Sequence, residues 1–220
     1  MRGNIMSTFK GYNKKATSQH MMRIVKRERI LSIIIAGRSS GWAILDRVNP
    51  TPKGMKRNDM TWEDGNLTYL RIIHKVEHRN VFEWKVKLIQ DTGWLANSNE
   101  KIYERDGYLY AEWQDTNKLR IYYDWLRKGK EYTILKVLKY MYSPLFITMF
   151  YADNELYLTH EHGWVLASGF HTESDDSIQL QLWMKEVLNY DSKVINDSEL
   201  AIQSANVESD IMQLYDAIHK

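Results

Sequence analysis

The chain has 220 residues, of which 44% are hydrophobic and 12% aromatic, and it contains no cysteine. This length and composition provide a sizeable core for one domain or two closely packed halves, and they exclude disulfides and cysteine-based zinc or thiol chemistry. The longest apolar runs, Ile33–Gly37 and Pro144–Ala152, are much shorter than the roughly 20 residues that cross a bilayer, so we expect a soluble protein with no membrane partner.

The net charge of +2 is distributed unevenly along the chain. Residues 1–30 contain eight basic residues and one acidic residue, a net charge of +7, which leaves −5 for residues 31–220. Such a segment is typical of a nucleic-acid-binding arm or of an organellar targeting peptide, and a solvated disordered tail is the alternative. The candidate nucleic-acid-binding residues of this arm are Lys10, Lys14, Lys15, Arg23, Lys26, Arg27 and Arg29.

Apolar periodicity predicts the first elements in chain order. They are a helix over 23–38, a strand over 67–73, a helix that carries Val81, Trp84 and Leu88 and stops near Gly93, a strand over Tyr108–Trp113, and a helix that carries Leu119, Tyr122 and Leu126 and ends at Gly129.

The same periodicity predicts a similar series in the second part of the chain. It consists of a helix closed by Asp153 and Asn154, a hairpin of strands 156–159 and 164–169, a helix over 178–188 capped by Ser177, a strand over 198–204, and a C-terminal helix with the apolar stripe Val207, Ile211, Leu214 and Ile218.

An apolar nonamer occurs twice, as Leu31–Ser39 and as Phe146–Asn154, with equivalent positions 115 residues apart. Gly37 and Ala152 occupy the seventh position of each copy, and small residues there allow two helices to cross closely. We therefore predict that these two residues lie at a helix–helix interface, and that the polar ends of the two helices meet at a shared centre.

The segment 143–154, which contains the second copy, resembles the motif helix of LAGLIDADG homing endonucleases of the monomeric, two-motif type. Segment 66–85 and the turn Phe170–Ser174 are similar to family segments in the same order, so the resemblance covers about residues 30–220. It implies an α+β fold of two pseudo-symmetric αββαββ-like halves that pack through their motif helices, a pseudo-dimeric monomer. The implied divisions are the arm at 1–29, a first half at 30–140 and a second half at 141–220.

The eighth position of the nonamer carries the chemistry that the resemblance implies. Active family members have an acidic residue there in both motifs, because carboxylates hold the Mg²⁺ that phosphodiester hydrolysis needs. This chain keeps Asp153 as a remnant catalytic residue and metal ligand, but it has Arg38 in the first motif, and a guanidinium cannot ligate a cation. We expect Arg38 to bind a phosphate or to form a weak ion pair with Asp153. Lys130 resembles a basic residue that precedes the second motif and is a weaker catalytic candidate.

Two functions stay open at this point. The first is an RNA- or DNA-binding protein that has lost cleavage and needs no cofactor, such as a maturase or a component of an organellar ribosome or other RNA assembly. The second is an active homing endonuclease that uses Mg²⁺ with one carboxylate, or whose first motif ends at Asp64 and Gly65 instead. On the predicted strands, the candidates for contacting nucleic acid are Tyr69, Arg71, Tyr108 and Tyr110, since tyrosine rings stack on unpaired bases.

The basic arm also bears on localisation. A targeting peptide would place the protein in a mitochondrion or another organelle. The alternative location is the cytoplasm of a bacterium or of a phage-infected cell.

Overall fold

The computed structural model describes residues 18–47, 68–96, 98–115, 118–128, 131–167 and 175–219. The first half consists of α1 (Ser18–Ser40), β1 (Ala43–Arg47), β2 (Thr68–Lys75), α2 (Arg79–Thr92), β3 (Asn99–Arg105), β4 (Tyr108–Asp115) and α3 (Lys118–Trp125). The two-residue strands β5 (Arg127–Lys128) and β6 (Glu131–Tyr132) then form a small hairpin.

The second half repeats the same order of elements. It consists of α4 (Leu145–Ala152), β7 (Leu156–Thr159), β8 (Gly163–Ala167), α5 (Asp175–Trp183), β9 (Asp191–Asn196), β10 (Glu199–Gln203) and α6 (Asn206–His219). Both sheets are antiparallel, with equivalent strand orders β1-β2-β4-β3 and β7-β8-β10-β9. The predicted α+β fold of two similar halves is therefore confirmed.

The motif helices α1 and α4 pack against each other in the core. Ile30, Ile34, Phe146 and Phe150 are almost completely buried, because α4 and residues 30–37 of α1 are apolar and covered on several sides. The sheets cover this pair of helices with one face each. In β2, for example, alternate residues are buried and the others face outward. Among the residues described, no helix is both long and apolar enough to cross a membrane.

Several boundaries differ from the predicted ones. Strands β1, β3 and β9 and the short hairpin β5–β6 were not predicted. Strand β3 is exposed at every position, so it shows no alternation of apolar and polar residues. Helix α3 ends at Trp125, before Gly129. Ser177 does not cap α5, which begins at Asp175, and its side chain is buried within the helix.

Two further differences affect the candidate site. Helix α1 spans Ser18–Ser40, so residue 29, the predicted end of the arm, lies within a helix. In α2 the predicted apolar residues are only half-buried. The buried positions are instead Phe82, Lys85, Val86, Ile89 and Thr92.

Candidate functional site

The second motif ends in a turn that directs Asp153 into the core. The Asp153 backbone N–H donates to the carbonyl of Met149, which completes the last turn of α4. Asn154 then adopts a left-handed conformation with φ of 63°, as its residue type predicts. Only 2% of Asp153 is exposed. The motif carboxylate is therefore an interior group rather than part of an open surface.

The partner of Asp153 is a lysine from the other half. Lys85, in the middle of α2, is completely buried, and its Nζ donates a hydrogen bond to Oδ1 of Asp153. His74, at the end of β2, places its Nε2 3.2 Å from the same Nζ and 3.7 Å from Oδ1. Because an ammonium group can only donate, His74 accepts through Nε2 and carries its proton on Nδ1. The Trp42 ring stacks on the imidazole, with centroids 5.3 Å apart.

Burial changes the proton affinity of all three groups. The low dielectric of the core, together with the nearby Lys85 charge, lowers the pKa of His74 to about 2, so this imidazole is neutral. Burial raises the pKa of Asp153 and lowers that of Lys85, whereas the attraction between the two opposes both shifts. The hydrogen bond from Lys85 to Asp153 and the neutral His74 acceptor thus join the two halves at this point.

Arg38 does not take part in this cluster, so the predicted ion pair between Arg38 and Asp153 is wrong. The Arg38 side chain is exposed, and its guanidinium lies 4.1 Å from the centre of the Tyr132 ring. The physical reason is that Asp153 turns inward to a cation of the first half, while Arg38 remains at the surface on an aromatic face. The neighbouring Ser39 hydroxyl reaches across to the second half and donates to the carbonyl of Ala167.

These residues do not fit a magnesium centre built from two motif carboxylates. One of the two positions is an arginine, and Oδ1 of the other carboxylate already accepts from an ammonium. Oδ2 of Asp153 is buried and accepts no hydrogen bond within the described part of the chain. Across the same residues, no group of three or more histidine, aspartate and glutamate side chains is arranged to hold a metal ion.

Gly37 is required by a contact with the following strand. A Cβ on Gly37 would lie 2.4 Å from Cβ of Ala43 and 2.8 Å from its backbone nitrogen. Ala152 lies half-buried at the end of α4, the helix that packs on α1. Direct contact of Gly37 with Ala152 stays a prediction, whereas the need for a glycine follows from Ala43.

The basic residues of α1 differ in their surroundings. Arg23 is exposed, and Lys26 and Arg29 are half-buried. The Arg27 guanidinium, in contrast, lies 5.5–5.9 Å from three aromatic rings, so it holds α1 to the neighbouring elements. Those rings belong to Trp94, Trp125 and Tyr140. Lys10, Lys14, Lys15, Lys130, Asp64 and the turn at 170–174 lie outside the described residues.

Glu28 joins α1 to the start of the second motif helix. It is 4% exposed, and its Oε1 accepts from the backbone N–H groups of Tyr142 and Ser143 and from the Ser143 hydroxyl, at 2.7–2.8 Å. A carboxylate at this point accepts hydrogen bonds from backbone donors just before α4, and its negative charge interacts favourably with the positive end of the helix dipole.

The four strand residues predicted to contact nucleic acid lie together. Directly paired residues share a face of a sheet, and the register pairs Tyr69 with Gln114, Arg71 with Glu112 and Tyr108 with Lys75. Tyr110 lies two residues after Tyr108 on β4, so the two side chains are on the same face of the sheet. All four therefore lie on the face of the first sheet that points away from the helices.

Two four-stranded antiparallel sheets covering a pair of central motif helices define the LAGLIDADG homing-endonuclease fold. No protein-family model and no curated protein matches the sequence. Among solved structures, the chain is similar to I-DmoI in complex with DNA and Ca, with 12% identity, coverage of 86% of this chain and 89% of that one, and a TM-score of 0.52. It is also similar to mesophilic variants of the homing endonuclease I-DmoI, with 11% identity, coverage of 86% and 96%, and a TM-score of 0.51. The predicted resemblance in fold is thereby confirmed.

Proposed function

We propose that this protein binds nucleic acid and does not cleave it. The observation that carries the proposal is the buried hydrogen bond between Lys85 and the motif carboxylate of Asp153. Displacing this lysine with a divalent cation would leave an ammonium group buried without its counter-charge, which costs several kcal/mol. At the equivalent position of the first motif, Arg38 provides a cation where a metal centre needs an acid.

Binding is supported by the outer face of the first sheet. Its strand residues include Arg71, Lys75, Lys101 and Arg105 against the acidic Asp46 and Glu112, a net charge of +2 by strand register. Beyond the strand ends, the exposed Glu77 and Asp106 pair with Lys75 and Arg105. Basic residues of the N-terminal segment would add contacts to phosphates. The fold is that of an endonuclease solved with DNA, which makes a nucleic acid the partner to test first.

The cellular role we propose is recognition of an RNA, as in a maturase or a component of an organellar ribosome. Loss of cleavage with retention of the scaffold suits such a role, and the basic N-terminal segment suits import into an organelle. Affinity for structured RNA that exceeds affinity for duplex DNA of equal length would support this role. The reverse preference would leave a DNA-binding protein.

Two assays on the full chain test the proposal. Fluorescence anisotropy with labelled RNA and DNA should show binding that weakens as salt increases. Incubation with supercoiled plasmid and Mg²⁺ or Mn²⁺ should leave the plasmid uncut. Metal-dependent cleavage that is lost in Asp153→Asn would contradict the proposal and favour an active endonuclease. That variant serves as the control for contaminating nucleases whether or not it retains its stability.

A further inference from the structure

The outer face of the first sheet is rich in tyrosine rings. Tyr103 on β3 and Tyr110 on β4 are direct partners, and their rings stack with centroids 4.9 Å apart and planes inclined by 10°. Tyr108 follows two residues from Tyr110 on the same strand face, about 7 Å away along the strand. Tyr69 lies on the same face of β2, with the Arg71 guanidinium 5.4 Å from its ring. Tyr103 is exposed and the other three are half-buried.

The polar groups beside these rings already bind each other. Arg71 Nε donates to Oε1 of Glu112 at 2.5 Å, and the Tyr103 hydroxyl donates to the same oxygen at 2.9 Å. Reading base pairs in the major groove needs guanidinium or carboxamide groups that are free to bind base edges. Arg71 is engaged in this network, and Arg105 pairs with Asp106. The carboxamides of this face, Asn99 and Gln114, are paired with each other four residues along the strands from Tyr103 and Tyr110. The flat faces of the aromatic rings need no hydrogen-bond partner to stack.

The second sheet has a different outer face. Across its four strands, the register places Tyr157, Val165, Ala201 and Lys193 side by side in that order. Val165 and Ala201, on the two central strands, are almost completely buried. The Tyr157 hydroxyl donates to Glu199. Asp191, Lys193 and Glu199 give the strands of this face a net charge of −1. The surface suited to bases and phosphates therefore belongs to the first half.

We propose that the tyrosine face of the first sheet binds an unpaired nucleic-acid strand by stacking its bases on Tyr103, Tyr110 and their neighbours. The inference rests on the proposed function and specifies the form of nucleic acid. The ring faces of unpaired bases are free to stack on tyrosine rings, whereas in a duplex these faces are covered by the neighbouring bases. Lys75, Lys101 and Arg105 lie on the same face and provide charge for the phosphates of the strand. Lys75 and Arg105 would exchange their exposed ion pairs with Glu77 and Asp106 for these contacts.

The test measures the affinity of the full chain for a labelled 12-nucleotide RNA, a DNA of the same sequence, and the two corresponding duplexes. We expect at least one single strand to bind more tightly than its duplex, and the comparison of RNA with DNA shows which sugar is preferred. Tyr110→Ala should weaken binding of that single strand about 5- to 150-fold, the effect of losing one stacked base. Tyr110→Phe keeps the ring and should bind as the natural protein does.

Tyr157→Ala is the matched control, since Tyr157 is an exposed tyrosine on the outer face of the second sheet. It should leave affinity unchanged. Tyr103→Ala, on the exposed edge strand, provides the same test if Tyr110→Ala fails to fold. Tighter binding of duplexes, or equal losses for Tyr103→Ala and Tyr157→Ala, would overturn the stacking inference while nucleic-acid binding stands. Absence of binding to all four probes would overturn the proposed function as well.

Discussion

Lys85 donates a hydrogen bond to Asp153 where the two halves of the protein meet, and neither side chain has exposed surface. The lysine belongs to the first half and the carboxylate to the second. Each charge is therefore stable in the core only because the other half provides its counter-charge.

Lys85→Met should lower the free energy of unfolding by about 3–5 kcal/mol, because it leaves the Asp153 carboxylate buried without a cation. The double variant Lys85→Met/Asp153→Leu buries no charge and should recover most of this loss. Urea denaturation of the natural protein, both single variants and the double variant measures the coupling. Additive losses would show that the two groups do not stabilise each other.

Acid should destabilise the protein through His74. Its native pKa of about 2 lies far below the ordinary value of 6.5, so below pH 6.5 the unfolded chain binds a proton that the native state does not. This contribution to stability is complete above pH 6.5 and falls by about 2 kcal/mol by pH 5. Asp153 acts in the opposite direction in acid, because its native pKa is raised.

The contribution of His74 is therefore measured as a difference between proteins. His74→Gln keeps an acceptor for Lys85 but does not titrate, so the stability of this variant should depend less on pH between 6.5 and 5. Denaturant titrations at several pH values provide the comparison. Equal pH slopes for the two proteins would show that His74 is not a buried neutral group.

Glu28→Ala should destabilise the protein by about 2–3 kcal/mol, because it removes the acceptor of two backbone N–H groups and of the Ser143 hydroxyl. Glu28→Gln is the control. It retains an oxygen at the position that accepts all three hydrogen bonds, so its effect should be smaller. Thermal melts distinguish the two variants, and equal melting temperatures would contradict the role assigned to this side chain.

Gly37→Ala should cost about 1–3 kcal/mol, because the added methyl group collides with β1 at Ala43. Adding Ala43→Gly should recover only part of this loss, since the backbone nitrogen of residue 43 remains 2.8 Å from the new Cβ. Urea denaturation of the single and double variants measures both effects. A fully stable Gly37→Ala protein would mean that α1 and β1 separate easily at this point.

Replacing Lys10, Lys14 and Lys15 together with Gln should reduce the salt dependence of nucleic-acid binding. If each lysine neutralises one phosphate, the slope of log affinity against log salt should fall in magnitude by about 2 for single strands. Lys87→Gln/Lys136→Gln, at exposed sites away from the tyrosine face, provides a charge control. An unchanged slope in the triple variant would show that these three lysines do not contact phosphates.

The repeated fold could be predicted because its signal lies in long apolar helices and alternating strands. The two nonamers lie at the ends of α1 and α4, and the alternation of apolar and polar residues predicted the bounds of β2 and β4 to within two residues. Strand β3 gave no such signal, since an exposed edge strand has no apolar face. Its position depends on pairing with β4, which is a non-local interaction.

The partner of Asp153 was not predicted, although the pattern contained a signal for it. Phe82, Val86 and Ile89 are spaced as on one helical face, and Lys85 lies between them on the same face. A lysine there is normally interpreted as a surface residue, because single lysines are rarely buried. Only the position of a carboxylate 68 residues away explains why this one is buried.

Polar and charged groups of each half of the protein are paired by residues of the other half. Glu28 of α1 completes the start of α4, Asp153 neutralises a lysine of α2, and Ser39 binds a carbonyl at the end of β8. A protein assembled from two identical subunits would have the same residue types on both sides of its axis. Here Asp153 of the second half is the counter-charge of Lys85 in the first half, whereas the first motif has Arg38 at the equivalent position, so a homodimer of the first half would bury Lys85 without an acid. The first half therefore depends on a second half whose sequence differs from its own.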